Sequence, residues 1–156
     1  MQKLALDIVQ VWLIRGRAPT AVEATANIIL VARLDQQLSA GPVNHERAIR
    51  LAWSSALTRF VNEMVDAQQK GTAAISVTRL AEQLQIPRML VDIRHESVHD
   101  ALPSLELLRM GGEEALKWLW ENYWVPQSDH DELLKDRIGV ALNRLAAAVA
   151  ADTRPE

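Results

Sequence analysis

The stretch Asp92-Ile93-Arg94-His95-Glu96-Ser97-Val98-His99-Asp100 decides how this chain is interpreted, because it holds two of the four histidines. Pro87 is suited to the first turn of a helix, so the pattern predicts a helix over about 88–101. At 100° per residue, one face of this helix is polar and comprises Arg88, Asp92, His95 and His99. Arg94 projects between two apolar strips, which is costly unless the guanidinium has a partner or a function.

The composition predicts a folded, mainly helical domain. The chain has 156 residues, of which 49% are hydrophobic, and this excludes a disordered protein. The net charge of −3 indicates no general nucleic-acid surface, so RNA or DNA binding would depend on a few placed arginines. The absence of cysteine excludes disulfides and thiolate zinc sites. We find no signal peptide and no apolar run of about 18 residues, so we expect a soluble chain with no membrane association.

Capping residues, glycines and prolines divide the remaining sequence into helices. The predicted helices are Leu4–Arg15, Thr20–Gln37 with a Thr20–Glu23 capping box, Asn44–Lys70 ended by Gly71, Ser76–Leu84, the motif helix, Leu105–Trp124 and Ser128–Ala151. Pro126 is expected to end the sixth helix. We find no strand pattern, and we therefore predict an all-α fold. The expected organisation is a single domain over residues 1–151 with a frayed tail at 152–156, and its abrupt start suggests a domain cut from a longer chain.

Several side chains outside the motif are assigned to the core or the surface. Close packing of a neighbouring backbone is expected at Gly111-Gly112. The aromatic cluster of Trp118, Trp120, Tyr123 and Trp124 is expected in the core or in a dimer interface. The buried side of the last helix is predicted to include Leu133, Leu134, Ile138, Val140, Leu142, Leu145 and Val149. We assign to the solvated surface His45, His130, Arg47, Arg50, Arg109, Lys117, Lys135 and Arg137.

One interpretation of the motif is a zinc site, because His95-Glu96-Ser97-Val98-His99 matches H-E-x-x-H. Histidines four residues apart on a helix can both reach a metal, with the glutamate as base. Asp100 adds a carboxylate where such helices prefer an uncharged residue, and no recognisable third ligand follows. We therefore do not favour a metal site.

A second interpretation is a helix-turn-helix, since residues 80–91 have the apolar spacing of that motif. Gln85 stands where the turn usually needs a glycine. The recognition helix would also carry Asp92, Glu96 and Asp100, which repel phosphates. A short helix packed on a longer one is expected, but a DNA-reading role is not favoured.

A third interpretation is RNA cleavage without a metal, and Arg94-x4-His99 is the R-x4-H pattern of HEPN-type ribonucleases. RNA carries its own nucleophile, the 2′-hydroxyl, so a protein needs to move protons and stabilise charge. Histidine suits proton transfer with its ordinary pKa of about 6.5, and arginine suits a phosphate. The candidate catalytic residues are Arg94, His95 and His99, with no cofactor and no metal.

The helical geometry predicts that one copy of this motif is incomplete. Arg94 and His99 lie about 140° apart around the helix at 100° per residue, so they cannot easily surround one phosphate. Two copies that meet at a twofold axis could do so. We therefore expect a symmetric homodimer with a composite site at the interface.

The surroundings of the motif raise its significance. They comprise Arg59-Phe60-Val61-Asn62, Gln85-Ile86-Pro87, Leu102-Pro103-Ser104-Leu105 and Ala115-Leu116-Lys117-Trp118-Leu119-Trp120-Glu121-Asn122-Tyr123-Trp124. The combined pattern resembles the HEPN domain of the Las-one family, the endoribonuclease of eukaryotic ribosome biogenesis. The match is strongest over residues 76–124.

This resemblance implies an all-α, HEPN-type helical bundle that is homodimeric through the motif region. It implies metal-independent cleavage of precursor ribosomal RNA within the second internal transcribed spacer, leaving a 2′,3′-cyclic phosphate and a 5′-hydroxyl. It also implies a polynucleotide kinase partner in the full-length protein and a location in the nucleus and nucleolus. By position, the catalytic residues would be Arg94, His95 and His99.

Two alternatives remain open. We read the chain as an isolated domain, without the family's segment before the first helix and without its long C-terminal region, which carries the kinase contacts. The competing function is a catalytically silent helical dimer that only scaffolds the processing complex. In an ordinary helical protein, His99 would be a buried structural histidine and Arg94 an ion-pair partner of Glu96 or Asp92. Glu96 could hold His99 or pair with Arg94, and we do not assign it a catalytic role.

Overall fold

The computed structural model describes residues 2–16, 18–41, 43–67, 69, 75–99 and 101–152, of which residues 2–6, 137, 139 and 141–152 are described by backbone alone. These residues form helices and turns, with no strand among them, so the all-α prediction is confirmed. The helices are α1 (Gln2–Ile14), α2 (Thr20–Ser39), α3 (Glu46–Asp66), α4 (Val77–Gln83), α5 (Arg88–His99), α6 (Leu105–Leu119), a π-helical segment (Trp120–Trp124) and α7 (Val125–Asp152). None of the described helices is both long enough and apolar enough to cross a membrane.

The chain divides into two compact units, Met1–Leu119 and Trp120–Glu156. The single domain over residues 1–151 therefore stays a prediction. The tail at 153–156 lies outside the described residues, as do the predicted end of the third helix at Lys70 and its stop at Gly71.

Side-chain caps begin α4 and α6 at the positions that the sequence predicts. At α3 the cap position is His45 and not the predicted Asn44, although Asn44 Oδ1 accepts the backbone N–H of Glu46 over 2.8 Å. Ser76 and Ser104 each accept an N–H three residues further on, at 3.3 and 3.2 Å. Each cap satisfies a backbone donor that has no partner within its own helix.

The start of α2 differs from its prediction. Pro19 occupies the cap position, and its carbonyl accepts the N–H groups of Val22 and Glu23. The predicted capping box from Thr20 to Glu23 is therefore wrong. Instead, the Glu23 carboxylate of α2 accepts a hydrogen bond from Arg59 of α3 over 3.1 Å.

Helix α3 is the centre of the first unit, because it packs against α2, α4, α5 and α6. Its buried residues include five that the sequence predicts: Ile49, Trp53, Leu57, Phe60 and Val61. Met64 is half-buried and Val65 is buried in its place. Such a central helix can bury residues around much of its circumference, which explains why its apolar stripe is broad.

The glycine pair of α6 lies where α3 and α5 approach that helix most closely. A Cβ on Gly111 would lie 2.7 Å from Ile93 Cδ1 and 3.0 Å from Leu57 Cδ1. A Cβ on Gly112 would overlap the six-membered ring of Trp53. Close packing is confirmed, but the neighbours are side chains and not the backbone that was expected.

A buried carboxylate joins three helices of this unit. Asp35 of α2 is 5% exposed and accepts from Trp53 Nε1 of α3 over 2.9 Å. Arg109 of α6 donates to both of its oxygens, at 2.8 and 2.7 Å, and Ser39 adds a fourth hydrogen bond. The Arg109 guanidinium lowers the pKa of Asp35 to about 2, with further help from Trp53 and Ser39 against the effect of burial.

Two arginines that were assigned to the solvated surface hold the fold together. Arg109 pairs with Asp35, although almost half of its side chain is exposed. Arg50 donates to the backbone carbonyls of Pro103 and Leu102, which precede α6. Arg109 lies at the surface as predicted, and Arg50 is half-buried. Their structural bonds were not predicted, because the partners lie more than 50 residues away along the chain. The side chain of Arg137 lies outside the described residues.

Pro126 does not end a helix, and the predicted boundaries at Trp124 and Ser128 are wrong. The π-helical segment leads directly into α7, which includes Pro126 in its first turn. Because proline has no N–H, this continuous helical stretch has one backbone donor fewer at Pro126.

The apolar residues of α7 are not buried as predicted. Leu133, Leu134, Ile138 and Val140 are exposed, because no second α-helix accompanies α7 among the described residues of this unit. The side chains of Leu142, Leu145 and Val149 lie outside the described residues.

The predicted aromatic cluster is divided between the two units. In the first unit, Trp118 packs edge-on against Phe60 with ring centroids 5.6 Å apart, and it donates to the carbonyl of Leu84. In the second unit, Tyr123 and Trp124 pack edge-on and Trp120 is 63% exposed. Trp118 is therefore partly buried in the first unit, whereas Trp120 is not in the core, and its place in a dimer interface stays a prediction.

Candidate active site on helix α5

Helix α5 is positioned by the tight turn that connects it to α4. The N–H groups of Gln85 and Ile86 bond to the carbonyls of Glu82 and Ala81, which is the Schellman pattern that ends a helix. Gln85 has a φ of 55°, in the left-handed region that usually favours glycine. The expected helix pair is confirmed, and the objection that Gln85 could not make its turn was wrong. Ile86 is buried after the turn, and this packing offsets the cost of the backbone conformation.

One face of α5 anchors the helix in the core. Leu90 and Ile93 are fully buried, and α5 packs against α3, α4 and α6. Ser97 continues this face with a buried hydroxyl that has no hydrogen-bond partner within the described part of the chain. Val98, which was placed on a second apolar strip, is 50% exposed. The helix is thus rigidly seated along its first two turns and more open near its end.

The opposite face carries the predicted polar residues and is open to solvent. Arg88, Asp92, His95 and His99 are all exposed. The His95 and His99 rings lie side by side, with centroids 4.9 Å apart and planes inclined at 47°. Arg88 donates to Asp92 over 3.0 Å one turn earlier. The structure therefore brings the two candidate histidines together on an accessible surface, and His99 is not a buried structural histidine.

Arg94 lies outside this face and is half-buried, with its partner on α3. Its Nε donates to Oδ1 of Asn62 over 3.1 Å. Within the part of the chain that the structure describes, Arg94 forms no ion pair, so the suggested pairing with Asp92 or Glu96 is wrong for those residues. Asp100 lies outside the described residues. The hydrogen bond to the uncharged amide of Asn62 offsets part of the cost of placing the Arg94 guanidinium at a half-buried position.

Asn62 is the residue that sequence reasoning missed. It was quoted only as part of the segment Arg59-Phe60-Val61-Asn62 that supports the family resemblance, with no role assigned. The signal that could have found it is the need of Arg94 for a polar partner at its half-buried position. The separation of 32 residues gives no local pattern that links the two.

This arrangement can perform acid–base chemistry on an anionic ligand. Two imidazoles side by side provide proton acceptors and donors, and an arginine provides two-pronged binding of a phosphate. Around the helix, the Arg94 and His99 positions are separated by about 140°, so a single copy presents them on different sides. Among the described residues, no group of three or more histidine and carboxylate side chains is placed to hold a metal ion.

The family of this chain follows from comparison with known sequences. Residues 1–126 match the family described as Las1-like. The matched residues include all of α5 and the helices that pack against it. The chain belongs to the Las1-like family. The resemblance that the motif and its surroundings predicted is therefore confirmed.

Members of the Las1-like family from fungi and mammals align with most of this chain. It is 35% identical to "Pre-rRNA-processing protein las1" of Schizosaccharomyces pombe over 121 residues, or 78% of the chain and 24% of that protein. It is 37% identical to "Protein LAS1" of Saccharomyces cerevisiae over 136 residues, 85% of the chain and 26% of that protein. It is 30% identical to "Ribosomal biogenesis protein LAS1L" of Mus musculus over 129 residues, 81% of the chain and 16% of that protein. The chain thus spans about a quarter or less of the length of these relatives.

Proposed function

We propose that this chain is the HEPN-type nuclease domain of an endoribonuclease that processes precursor ribosomal RNA, with Arg94, His95 and His99 as its catalytic residues. The observation that carries the proposal is the exposed His95–His99 pair, on the same helix as an Arg94 that forms no ion pair within the described part of the chain. A relative in the same family is named as a pre-rRNA-processing protein, which supports RNA as the substrate.

The reaction requires no group beyond the RNA and these side chains. One imidazole accepts the proton of the 2′-hydroxyl while its oxygen bonds to the adjacent phosphorus. The other imidazole donates a proton to the 5′-oxygen as the phosphorus–oxygen bond breaks. Arg94 stabilises the added negative charge on the phosphorane. The products are a 2′,3′-cyclic phosphate and a 5′-hydroxyl.

The proposed active form is a homodimer through the motif region. Arg94 and His99 project on different sides of one α5, so a twofold partner would place a second set beside the same phosphate. Val98 lies next to His99 and is half-exposed although apolar, which suits a contact between two copies.

The wider biological role is part of the proposal and is supported by the family resemblance. We infer that the substrate is the second internal transcribed spacer of precursor ribosomal RNA, in the nucleus and nucleolus. The full-length protein would act with a polynucleotide kinase that phosphorylates the 5′-hydroxyl product. Because the chain spans only a part of its relatives, kinase binding is assigned to the full-length protein.

Cleavage of a spacer-derived RNA hairpin in excess EDTA tests the proposed chemistry. We expect the wild-type chain to cleave and to leave a cyclic phosphate, and Arg94→Ala, His95→Ala and His99→Ala each to lose about a hundredfold or more. His130→Ala is the matched control, because this exposed histidine lies in the other unit, and it should cleave at the wild-type rate. Loss of cleavage in EDTA would favour the zinc interpretation. No cleavage under any condition would favour a silent scaffold.

Mixing two inactive variants tests the composite site. A dimer of one Arg94→Ala chain and one His99→Ala chain would contain one site with both intact groups, provided that each site takes its arginine and histidine from different protomers. We expect the mixture to recover up to about a quarter of the wild-type activity, since half of the dimers are mixed and each has one intact site. A monomer by analytical ultracentrifugation, or a mixture without activity, would contradict the shared site.

A further inference from the structure

We propose that Asn62 is a positioning residue that aims the Arg94 guanidinium at the phosphate and leaves its charge uncancelled. This inference rests on the proposed function, because it concerns the same site. It assigns a task to a residue of α3, which is not part of the R-x4-H motif.

The first observation is the atom through which Arg94 is held. A guanidinium has five N–H donors, one on Nε and four on the two terminal nitrogens. Asn62 Oδ1 engages the Nε donor over 3.1 Å, at a half-buried position where α3 and α5 pack together. The two terminal nitrogens form the end of the fork, and this end matches two phosphate oxygens. The hydrogen bond to Asn62 therefore fixes the Arg94 side chain through Nε. An end-on phosphate contact uses the two terminal nitrogens and does not need Nε.

The second observation is the chemical type of the partner. Each of the other arginines with side-chain partners among the described residues has a carboxylate among them, although Arg50 also donates to two backbone carbonyls. Arg109 bonds to Asp35, Arg88 to Asp92, Arg59 to Glu23 and Glu63, and Arg50 pairs with Glu46. Arg94 bonds to a neutral amide instead. An amide oxygen satisfies a donor without opposing the positive charge, so the whole charge remains available to a phosphorane.

The third consideration is conformational entropy. A free arginine loses the freedom of several side-chain torsions when it binds a ligand. A hydrogen bond at Nε restricts most of these torsions before RNA arrives, so less freedom is lost on binding and the geometry is closer to the reactive one. Loss of Asn62 should therefore slow the chemical step more than it weakens RNA binding.

Two substitutions at Asn62 separate orientation from charge. Asn62→Ala removes the acceptor, and we expect the single-turnover rate constant for cleavage to fall about ten- to a hundredfold. Asn62→Asp keeps an acceptor at the same place but adds a negative charge, so the fold and thermal stability should be retained while the rate still falls. The affinity for an uncleavable 2′-O-methyl RNA should change less than the rate in Asn62→Ala. Asn27→Ala, at another half-buried asparagine in α2, is the matched control with a wild-type rate.

A double-mutant cycle tests whether Asn62 acts through Arg94. In an Arg94→Lys background, which keeps a charge but has no Nε donor, Asn62→Ala should cost less than about twofold further. An equal loss in both backgrounds, or a wild-type rate for Asn62→Asp, would overturn the positioning role.

Its failure is distinguishable from failure of the proposed function. If Arg94→Ala is inactive while both Asn62 variants cleave normally, only the positioning role is wrong. If Arg94→Ala cleaves normally, the proposed chemistry is wrong and the positioning role with it.

Discussion

Trp53 and Asp35, which lie 18 residues apart in the sequence, are joined inside the core by a 2.9 Å hydrogen bond from the indole Nε1 to the carboxylate. The same carboxylate receives two bonds from Arg109, so α2, α3 and α6 meet at one buried negative charge. The indole ring also packs against the Gly112 backbone. This junction orients α3, the helix against which α5 is packed.

Removal of this carboxylate should destabilise the first unit. We expect Asp35→Ala to lower the free energy of unfolding by about 2–4 kcal/mol, because it leaves the buried indole N–H and the Arg109 guanidinium without their acceptor. Urea unfolding followed by circular dichroism measures this change. Asp92→Asn is the control, since the Arg88–Asp92 pair is exposed and its loss should leave the midpoint unchanged. Equal effects of the two variants would contradict a structural role for Asp35.

The same carboxylate should make stability depend on acid. Arg109 holds the pKa of Asp35 at about 2, below its ordinary value of 3.8. A lowered pKa in the folded state gives stability that is fully present above pH 3.8 and is lost as the pH falls towards 2. The difference in unfolding free energy between the wild type and Asp35→Asn should therefore shrink by about 2 kcal/mol over that window. A constant difference would show that Asp35 is not held in this way.

Glu63 should act in the opposite direction and in a different pH range. Its pKa is raised, chiefly by burial, so its contribution falls as the pH rises above its ordinary value of 4.5. Comparison with Asp35→Asn isolates the Asp35 contribution, because Glu63 is present in both proteins.

Gly112 should not tolerate a methyl group. Gly112→Ala would drive a Cβ into the Trp53 ring, which is held in place by Asp35, and we expect a loss of about 2–3 kcal/mol of unfolding free energy. Gly41→Ala is the control, because its Cβ would meet only the Leu38 carbonyl oxygen at 3.5 Å, an ordinary contact. Thermal unfolding of the two variants checks this prediction. A stable Gly112→Ala protein would mean that α6 can shift away from α3.

Gln85 is a position where a substitution should stabilise the protein. Its left-handed backbone is strained for a residue with a Cβ, so Gln85→Gly should raise the unfolding free energy by about 0.5–1 kcal/mol. Gln83→Gly, at the last residue of α4, should lower it by up to a similar amount, because a glycine in a helix loses more conformational freedom. Chemical denaturation of both variants measures the sign of each change in unfolding free energy. A destabilising Gln85→Gly would contradict the role of the turn.

Substitution of Glu96 tests whether the catalytic role is limited to Arg94, His95 and His99. This half-buried glutamate lies between His95 and His99 in the sequence, and it would be the catalytic base in a zinc site. We expect Glu96→Ala to reduce the cleavage rate by less than about tenfold, against a hundredfold or more for His99→Ala. Single-turnover kinetics on the same RNA hairpin measure both. Equal losses would give Glu96 a direct part in the reaction.

The features that were predicted correctly depend on residues close together in the chain. The caps at Ser76 and Ser104 act over three residues, and the polar face of α5 follows from its own periodicity. The errors have long-range causes. Glu23 was assigned to a local capping box but bonds to Arg59, 36 residues away. Gln85 was judged by its intrinsic preference, yet the burial of Ile86 and the Schellman bonds support its unusual backbone.

The amino-acid sequence alone determined the helical class, the positions of most helices, and the placement of His95 and His99 on one solvent-facing surface. These properties arise from backbone hydrogen bonds and side-chain contacts within one or two helical turns. The tertiary structure decided that Arg94 is held by Asn62 and that Asp35 joins three helices through Trp53 and Arg109. Such pairs depend on how separate helices pack, and no pattern of neighbouring residues specifies them.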